Sequence, residues 1–459
     1  MKTVFGTEEI MNKKIHKIYL TFALVIGVVL SIFMPLFSEP DGPFHYTVST
    51  NIVGLSNDLS AYGEREIVTG IDNQIPHYQK GDFFETYFKN QIKKMPIENL
   101  PRQNSLPSKQ GYNYWGHILP AAGVWIGHLI YPSIGVMIVV GRLLSTLICV
   151  VSMFFIIRWV KAGKLLFFTL SLSPVITNTF ASLSYDATTY ILSAFTIAAA
   201  INIVVRKKVI ITDYIYFIVS TVALLFGGKT NTQLLIGLIP FIMLVTYLQN
   251  RSESDDASLR GSNRRYHLSR ALKVGIPLLL IGAIAVFYIK PTLLFGLYRI
   301  VISHLINVTP GLTTNSIFQS LLAAPYAGIN YIPFWVSAVW YILIVLVILV
   351  EKKYVWSPWI SWFSFLLFFM GFGAVYYSFA NFIGGSAVVS QNRMIGAIVG
   401  VQGRYFTPTL LLFSLFAGYE KFKYKLATYR LVTLFSIAVI VISNAMLIFG
   451  TLFGIYYLS

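Results

Sequence analysis

Apolar runs of about 20 residues recur along the chain, the length a helix needs to cross the hydrocarbon core of a bilayer. Backbone polar groups in hydrocarbon must be satisfied within the segment itself, so runs of this kind predict an all-α bundle of transmembrane helices. Composition agrees. The 459 residues are 56% hydrophobic, 15% aromatic and only 12% charged, with a mean hydropathy of +0.68. A soluble domain carries about twice that charged fraction.

The formal net charge of +17 would point to nucleic acid in a soluble protein. Here the basic residues sit in short loops between apolar runs, the pattern of the positive-inside rule, and no nucleic-acid partner is expected. Cys149 is the lone cysteine and lies in an apolar run, which excludes an intramolecular disulfide and a cysteine metal site. The first run, 18–37, is too long for a signal-peptide core and lacks an A-x-A-like cleavage site, so it reads as a retained anchor.

Charge sets the expected topology. Lys2, Lys13, Lys14 and Lys17 precede the first run, which places the N-terminus in the cytoplasm. A first outer loop, 39–131, follows, hydrophilic from Glu39 to near Gln110. Its last part, 112–130, is long enough to span, yet its prolines, glycines, histidines and aromatics suit an interfacial helix. With 112–130 on the surface, spans are expected near 18–37, 132–157, 165–181, 187–205, 211–228, 232–249, 274–294, 331–350, 355–378, 404–419 and 431–455. These eleven spans form one polytopic domain over 1–459, with the C-terminus outside. Their cytoplasmic links then hold Arg158, Lys161 and Lys164, the Arg206-Lys207-Lys208 run, the basic 250–273 loop, Lys352-Lys353, and Lys421, Lys423, Lys425 and Arg430.

The same topology gathers the unexplained ionisable residues on the outer face: Glu39, Asp41, His45, Asp186, Lys229, Arg393 and Arg404. Ionisable groups at helix ends are costly unless they meet a partner or an aqueous cavity, so their convergence looks like a site. Each also has a plainer reading. Glu39-Pro40-Asp41 fits a helix-terminating turn with solvated acids, Asp186 a helix cap, and Lys229 a snorkelling lysine. Arg142 lies inside a span and is open between pairing with an acid and serving the site.

PDGPFH at 40–45, the aromatic-Pro-Ala-Gly stretch 112–123, Gly141-Arg142-Leu143, SLSYDA at 182–187, Lys229 and GVQGRYFTP at 400–408 occur together and in this order. With these pieces the chain resembles the bacterial membrane proteins of domain-of-unknown-function family 2142. One position departs: Gly42 stands where that family has a second acid. The family is similar in layout to GT-C fold glycosyltransferases. That similarity implies an inverting sugar transferase of the bacterial cytoplasmic membrane with an outward-facing site. It further implies an undecaprenyl- or other polyprenyl-phosphate-linked sugar as donor and a cell-wall polysaccharide or other envelope glycan as acceptor. Such chemistry needs a base for the acceptor hydroxyl and cations for the departing phosphate. Asp41 is the candidate base, with Glu39 second, and Lys229, Arg404 and Arg393 are the candidate phosphate ligands. His45, Asp186, Tyr405 and Tyr114 are candidate substrate-orienting residues. A divalent cation, Mg or Mn, is open as a cofactor, with Asp41, His45 and Asp186 as its ligands. Alternatives are a polymerase or ligase using lipid-linked oligosaccharide, and a transporter or flippase of a lipid-linked saccharide.

Overall fold

The computed structural model describes residues 2–55, 112–258, 284–285, 288–289, 291–309, 312, 316–326, 329–381, 396–420 and 428–454. In chain order the helices used below are α1 (Lys2–Phe33), α2 (Gly42–Ile52), α3 (Tyr112–Gly116), α4 (Ile118–Ile130), α5 (Ile134–Trp159), α6 (Lys164–Ser171), α7 (Pro174–Phe180) and α8 (Asp186–Arg206). They continue with α9 (Ile211–Gly227), α10 (Leu238–Ser258), α11 (Pro291–Val308), α12 (Phe334–Val350), α13 (Pro358–Asn381) and α14 (Tyr429–Leu452). Among the described residues no β-strand forms, and the one bridge pair joins Val355 to Tyr419.

Six segments are long and apolar enough to cross a membrane: Lys14–Phe33, Ile134–Trp159, Asp186–Arg206, Thr230–Arg251, Pro358–Ala380 and Tyr429–Leu452. The outside of the bundle is apolar as well. Along α9, Ile211, Ile215, Ile218, Val222 and Phe226 are all exposed. Soluble monomers rarely leave so continuous an apolar face in water, and a bilayer satisfies it. The described residues form only helices and their connections, and the chain is an integral membrane protein.

Six of the eleven expected spans coincide with these helices among the described residues, and most of the others depart from that length for local reasons. The run 165–181 is apolar, but it is two short buried helices, α6 and α7, broken at Leu172-Ser173. Pro174 sits in the first turn of α7, where a missing N–H does no harm. Asn444 of α14 satisfies the break: its Nδ2 donates to Leu172 O at 2.8 Å and its Oδ1 accepts from Thr177 Oγ1 at 2.7 Å. The run 404–419 opens as 3-10 turns, Gly403–Tyr405 and Thr407–Leu412, and continues only as Phe413–Ala417. The helices in 211–228 and 331–350 have 17 residues each, the short limit for spanning. Most of the expected span 274–294 lies outside the described residues. In 112–130 the chain forms α3 and α4, and α4 has 13 residues, too few to span.

α8 is the helix against which the site is built. Its Ala187, Ala194, Ala198, Ala199 and Ala200 are buried, small side chains that let neighbouring helices approach closely. Its first residue is Asp186 and its last Arg206, so at 1.5 Å per residue the two lie about 30 Å apart.

Candidate functional site

Past the end of α1 the chain turns through Met34-Pro35-Leu36-Phe37 with carbonyls that no helix satisfies. Arg142, fully buried on α5, supplies the donors. Its Nη1 donates to Met34 O at 2.7 Å and its Nη2 to Pro35 O at 3.1 Å. The same guanidinium pairs with Glu39, Nη2 to Oε2 at 2.5 Å and Nε to Oε1 at 3.4 Å. Glu39 is only 2% exposed, so its carboxylate is a structural partner of Arg142 and does not reach the cavity described below. Gly42 follows from this packing. A Cβ built there would stand 3.1 Å from both Glu39 Cδ and Phe37 Cα, so Glu39 occupies the space a second acid would need.

This clamp fixes Asp41. It lies in the left-handed region, φ 56, which Asp tolerates better than most residues, and forms the N-cap of α2. An N-cap aspartate ordinarily bonds its own helix's N–H groups. Here the side chain makes no cap bond and is turned to Arg404, whose Nη2 donates to Oδ2 at 2.5 Å. Arg404 Nε stands 3.7 Å from Asp186 Oδ2, and Asp186 in turn pairs with Lys229. Four charges from four separate segments thus form one chain, Asp41–Arg404–Asp186–Lys229, whose formal charges cancel. Exposure distinguishes the members: the side chain of Asp41 is 50% exposed, whereas those of Arg404, Asp186 and Lys229 are 5%, 9% and 13% exposed.

The cluster lines a cavity of about 370 Å³, within the range of small-ligand sites. Lys229 Nζ lies 4.1 Å from the centre of the Tyr405 ring and 4.8 Å from that of Tyr185, an aromatic sandwich rather than a snorkelling pose. Burial lowers its pKa despite the opposing charge of Asp186. Burial also opposes charge on Arg404, but Tyr405, Asp41 and Asp186 outweigh it and raise the pKa of the guanidinium. The Tyr405 phenol, buried, is pushed up to about 12 and stays protonated. Asn231 fixes the Tyr405 backbone, donating from Nδ2 to Tyr405 O at 2.9 Å.

His45 forms another part of the wall. It is buried, and its Nδ1 lies 2.8 Å from Nε2 of the equally buried His117. Burial first, then His117, Arg404 and Lys229, hold the pKa of His45 well below the usual histidine value, so the ring is neutral. His117 joins the site because α3 docks closely. A Cβ on Gly116 would come within 2.8 Å of Tyr185 Cβ, and Thr188 Oγ1 donates to Gly116 O at 3.1 Å.

Of the residues singled out in the sequence, the fold brings Asp41, His45, Asp186, Lys229, Arg404 and Tyr405 to one cavity. Tyr114 packs edge-on against Trp115 and does not line it, and Arg393 lies outside the described residues. Among the described residues no three histidine, cysteine or acidic side chains are grouped to hold a metal. The carboxylates of Asp41 and Asp186 face Arg404 and Lys229, neighbours that oppose a further cation. Asn231, two residues from Lys229, also lines the cavity, as do Phe44, Tyr185, Phe379 and Gln402, which were not named as site candidates. Phe44, Tyr185 and Gln402 lie within two residues of a flagged residue, which was the available signal, whereas Phe379 carried none. A second cavity of about 320 Å³ lies at the far end of α8, where Arg206 is bonded to Asp213 and to Lys208 O.

The family model of a predicted membrane protein, DUF2142, matches residues 24–413 of the chain. No curated protein and no solved structure matches the chain.

Proposed function

The chain belongs to the DUF2142 family of predicted membrane proteins, and from that premise we propose that it is a glycosyltransferase of the GT-C type. In this reading it moves a sugar from a polyprenyl-phosphate donor to an envelope glycan on the outer side of the bacterial plasma membrane. The observation that carries the proposal is the cavity itself. One half-exposed carboxylate, Asp41, and two buried cations, Lys229 and Arg404, share its wall. Those are the groups that transfer from a phosphate ester requires.

The acceptor oxygen forms its bond to C1 of the sugar as the bond from C1 to the phosphate oxygen breaks. Its proton passes to the Asp41 carboxylate, and the electron pair leaves with the polyprenyl phosphate. Lys229 and Arg404 stabilise the charge on that leaving group. Arriving phosphate oxygens compete with Asp41 for Arg404 Nη2, which frees the Asp41 carboxylate for the acceptor. A single displacement inverts C1.

Orientation is part of the proposal, with the N-terminus cytoplasmic. Its support is that the cavity lies at the Asp186 end of α8, while Arg206, Lys207 and Lys208 lie at the other end. Basic residues favour the cytoplasmic side.

Purified protein given a polyprenyl-phosphate hexose and an envelope glycan is expected to form a glycoside of opposite anomeric configuration. No transfer with any such donor, or retention at C1, would count against the reading. Lys229→Met is expected to weaken binding of the polyprenyl-phosphate donor about ten- to hundredfold, the loss of one charged hydrogen bond. Unchanged donor affinity removes Lys229 from the phosphate site.

A further inference from the structure

Four buried side-chain polar atoms of cavity-lining residues have no hydrogen-bond partner among the described residues: His45 Nε2, Asp186 Oδ1, Gln402 Oε1 and Arg404 Nε. Asp186 Oδ1 is ion-paired with Lys229 and Arg404 Nε faces Asp186 Oδ2 at 3.7 Å, so His45 Nε2 and Gln402 Oε1 are the two without a charged partner. Buried polar groups are normally satisfied, so such atoms on a ligand cavity mark where a ligand or water completes the set. His45 is the more informative. The ring is 3% exposed, it is anchored through Nδ1 to His117, and Nε2 is the atom left over.

We infer that His45 Nε2 binds a hydroxyl of the donor sugar, with His117 as the positioning residue that orients the ring. The inference rests on the glycosyltransferase reading and assigns the part of the substrate that this wall of the cavity recognises. The chemistry favours a hydroxyl over the alternatives. One proton is shared between His45 Nδ1 and His117 Nε2, so Nε2 is either an acceptor or an N–H donor, according to tautomer. A hydroxyl both donates and accepts, and satisfies Nε2 in either state. A phosphate oxygen only accepts and has Lys229 and Arg404 available in the same cavity. A neutral imidazole also offers it no charge. The cavity is thereby divided, with cations for the phosphate and uncharged polar atoms, His45 Nε2 and Gln402 Oε1, for the group it carries.

The test compares the binding of two lipids to the full chain in nanodiscs: polyprenyl phosphate and polyprenyl-phosphate hexose. The wild type is expected to prefer the hexose-bearing lipid. His45→Asn keeps a polar atom near the Nδ1 position facing His117 but cannot reach the Nε2 position. It is expected to cut that preference about three- to tenfold, one neutral hydrogen bond, and to leave polyprenyl phosphate binding unchanged. His45→Gln, whose amide extends toward the Nε2 position, is expected to keep part of the preference. A merely structural role would lower both affinities together and would not be rescued by Gln. An unchanged preference in His45→Asn overturns the inference, as does a wild type that binds both lipids equally. Either result leaves the phosphate site standing. A wild type that binds neither lipid overturns the glycosyltransferase reading and this inference with it.

Discussion

Asp41→Asn is expected to abolish most transfer, by about 10²- to 10⁴-fold in turnover, the usual contribution of a positioned general base. The substitution is nearly isosteric. The amide oxygen it introduces can still accept from Arg404 Nη2, so the turn and the ion-pair chain lose one charge but not their shape. Lys229 and Arg404 remain on the cavity wall, and donor affinity is expected to hold. The measurement is single-turnover transfer alongside donor binding and thermal unfolding of the same preparation. Full activity in a folded Asp41→Asn protein would sink the assignment of the base. Equal losses in donor affinity and turnover would instead make Asp41 a binding residue.

The second large effect belongs to a residue outside the cavity. Arg142→Ala is expected to destabilise the protein by about 3–5 kcal/mol, the cost of leaving a buried charge without its partner. Glu39 would keep its carboxylate in a site 2% exposed to solvent, and Met34 O would lose its Arg142 donor, while Pro35 O would keep only the bonds from Ser38. Glu39→Gln keeps an acceptor for Arg142 and should cost less. The informative variant is the double change Glu39→Leu with Arg142→Met, which removes both charges and should recover much of the lost stability. Thermal unfolding in one detergent reads all three. If the single Arg142→Ala protein unfolds like the wild type, the clamp does not hold the Asp41 turn. Activity in the double variant then separates stability from geometry, because it lacks the bonds that aim Asp41 even where it folds.

Glu39 shows where reading along the chain misleads. Two residues from Asp41, it looked like a second acid of the site. Its role was decided by Arg142, 103 residues away, which no local pattern connects to it. The run 165–181 behaves in the same way. Hydropathy counts apolar side chains, and by that measure the segment spans. Whether it breaks depends on a partner for the freed carbonyl, and Asn444 on α14 is that partner. His117 carried no mark of its own in an aromatic-rich stretch, and became part of the site through the close approach of α3 to Tyr185.

The sequence by itself determined the class of the molecule and the candidate residues. Bilayer hydrocarbon tolerates only satisfied backbone, so long apolar runs must be helices, and ionisable side chains at their ends stand out because burial there is costly. Asp41, His45, Asp186, Lys229 and Arg404 were legible on that ground, whereas Tyr405 entered only through the family resemblance. Only the tertiary structure decided which charge faces which. Ion pairs and hydrogen bonds act over a few ångströms between segments that lie far apart along the chain. That short range placed Glu39 on Arg142, chained Asp41 through Arg404 and Asp186 to Lys229, and left His45 Nε2 without a hydrogen-bond partner among the described residues.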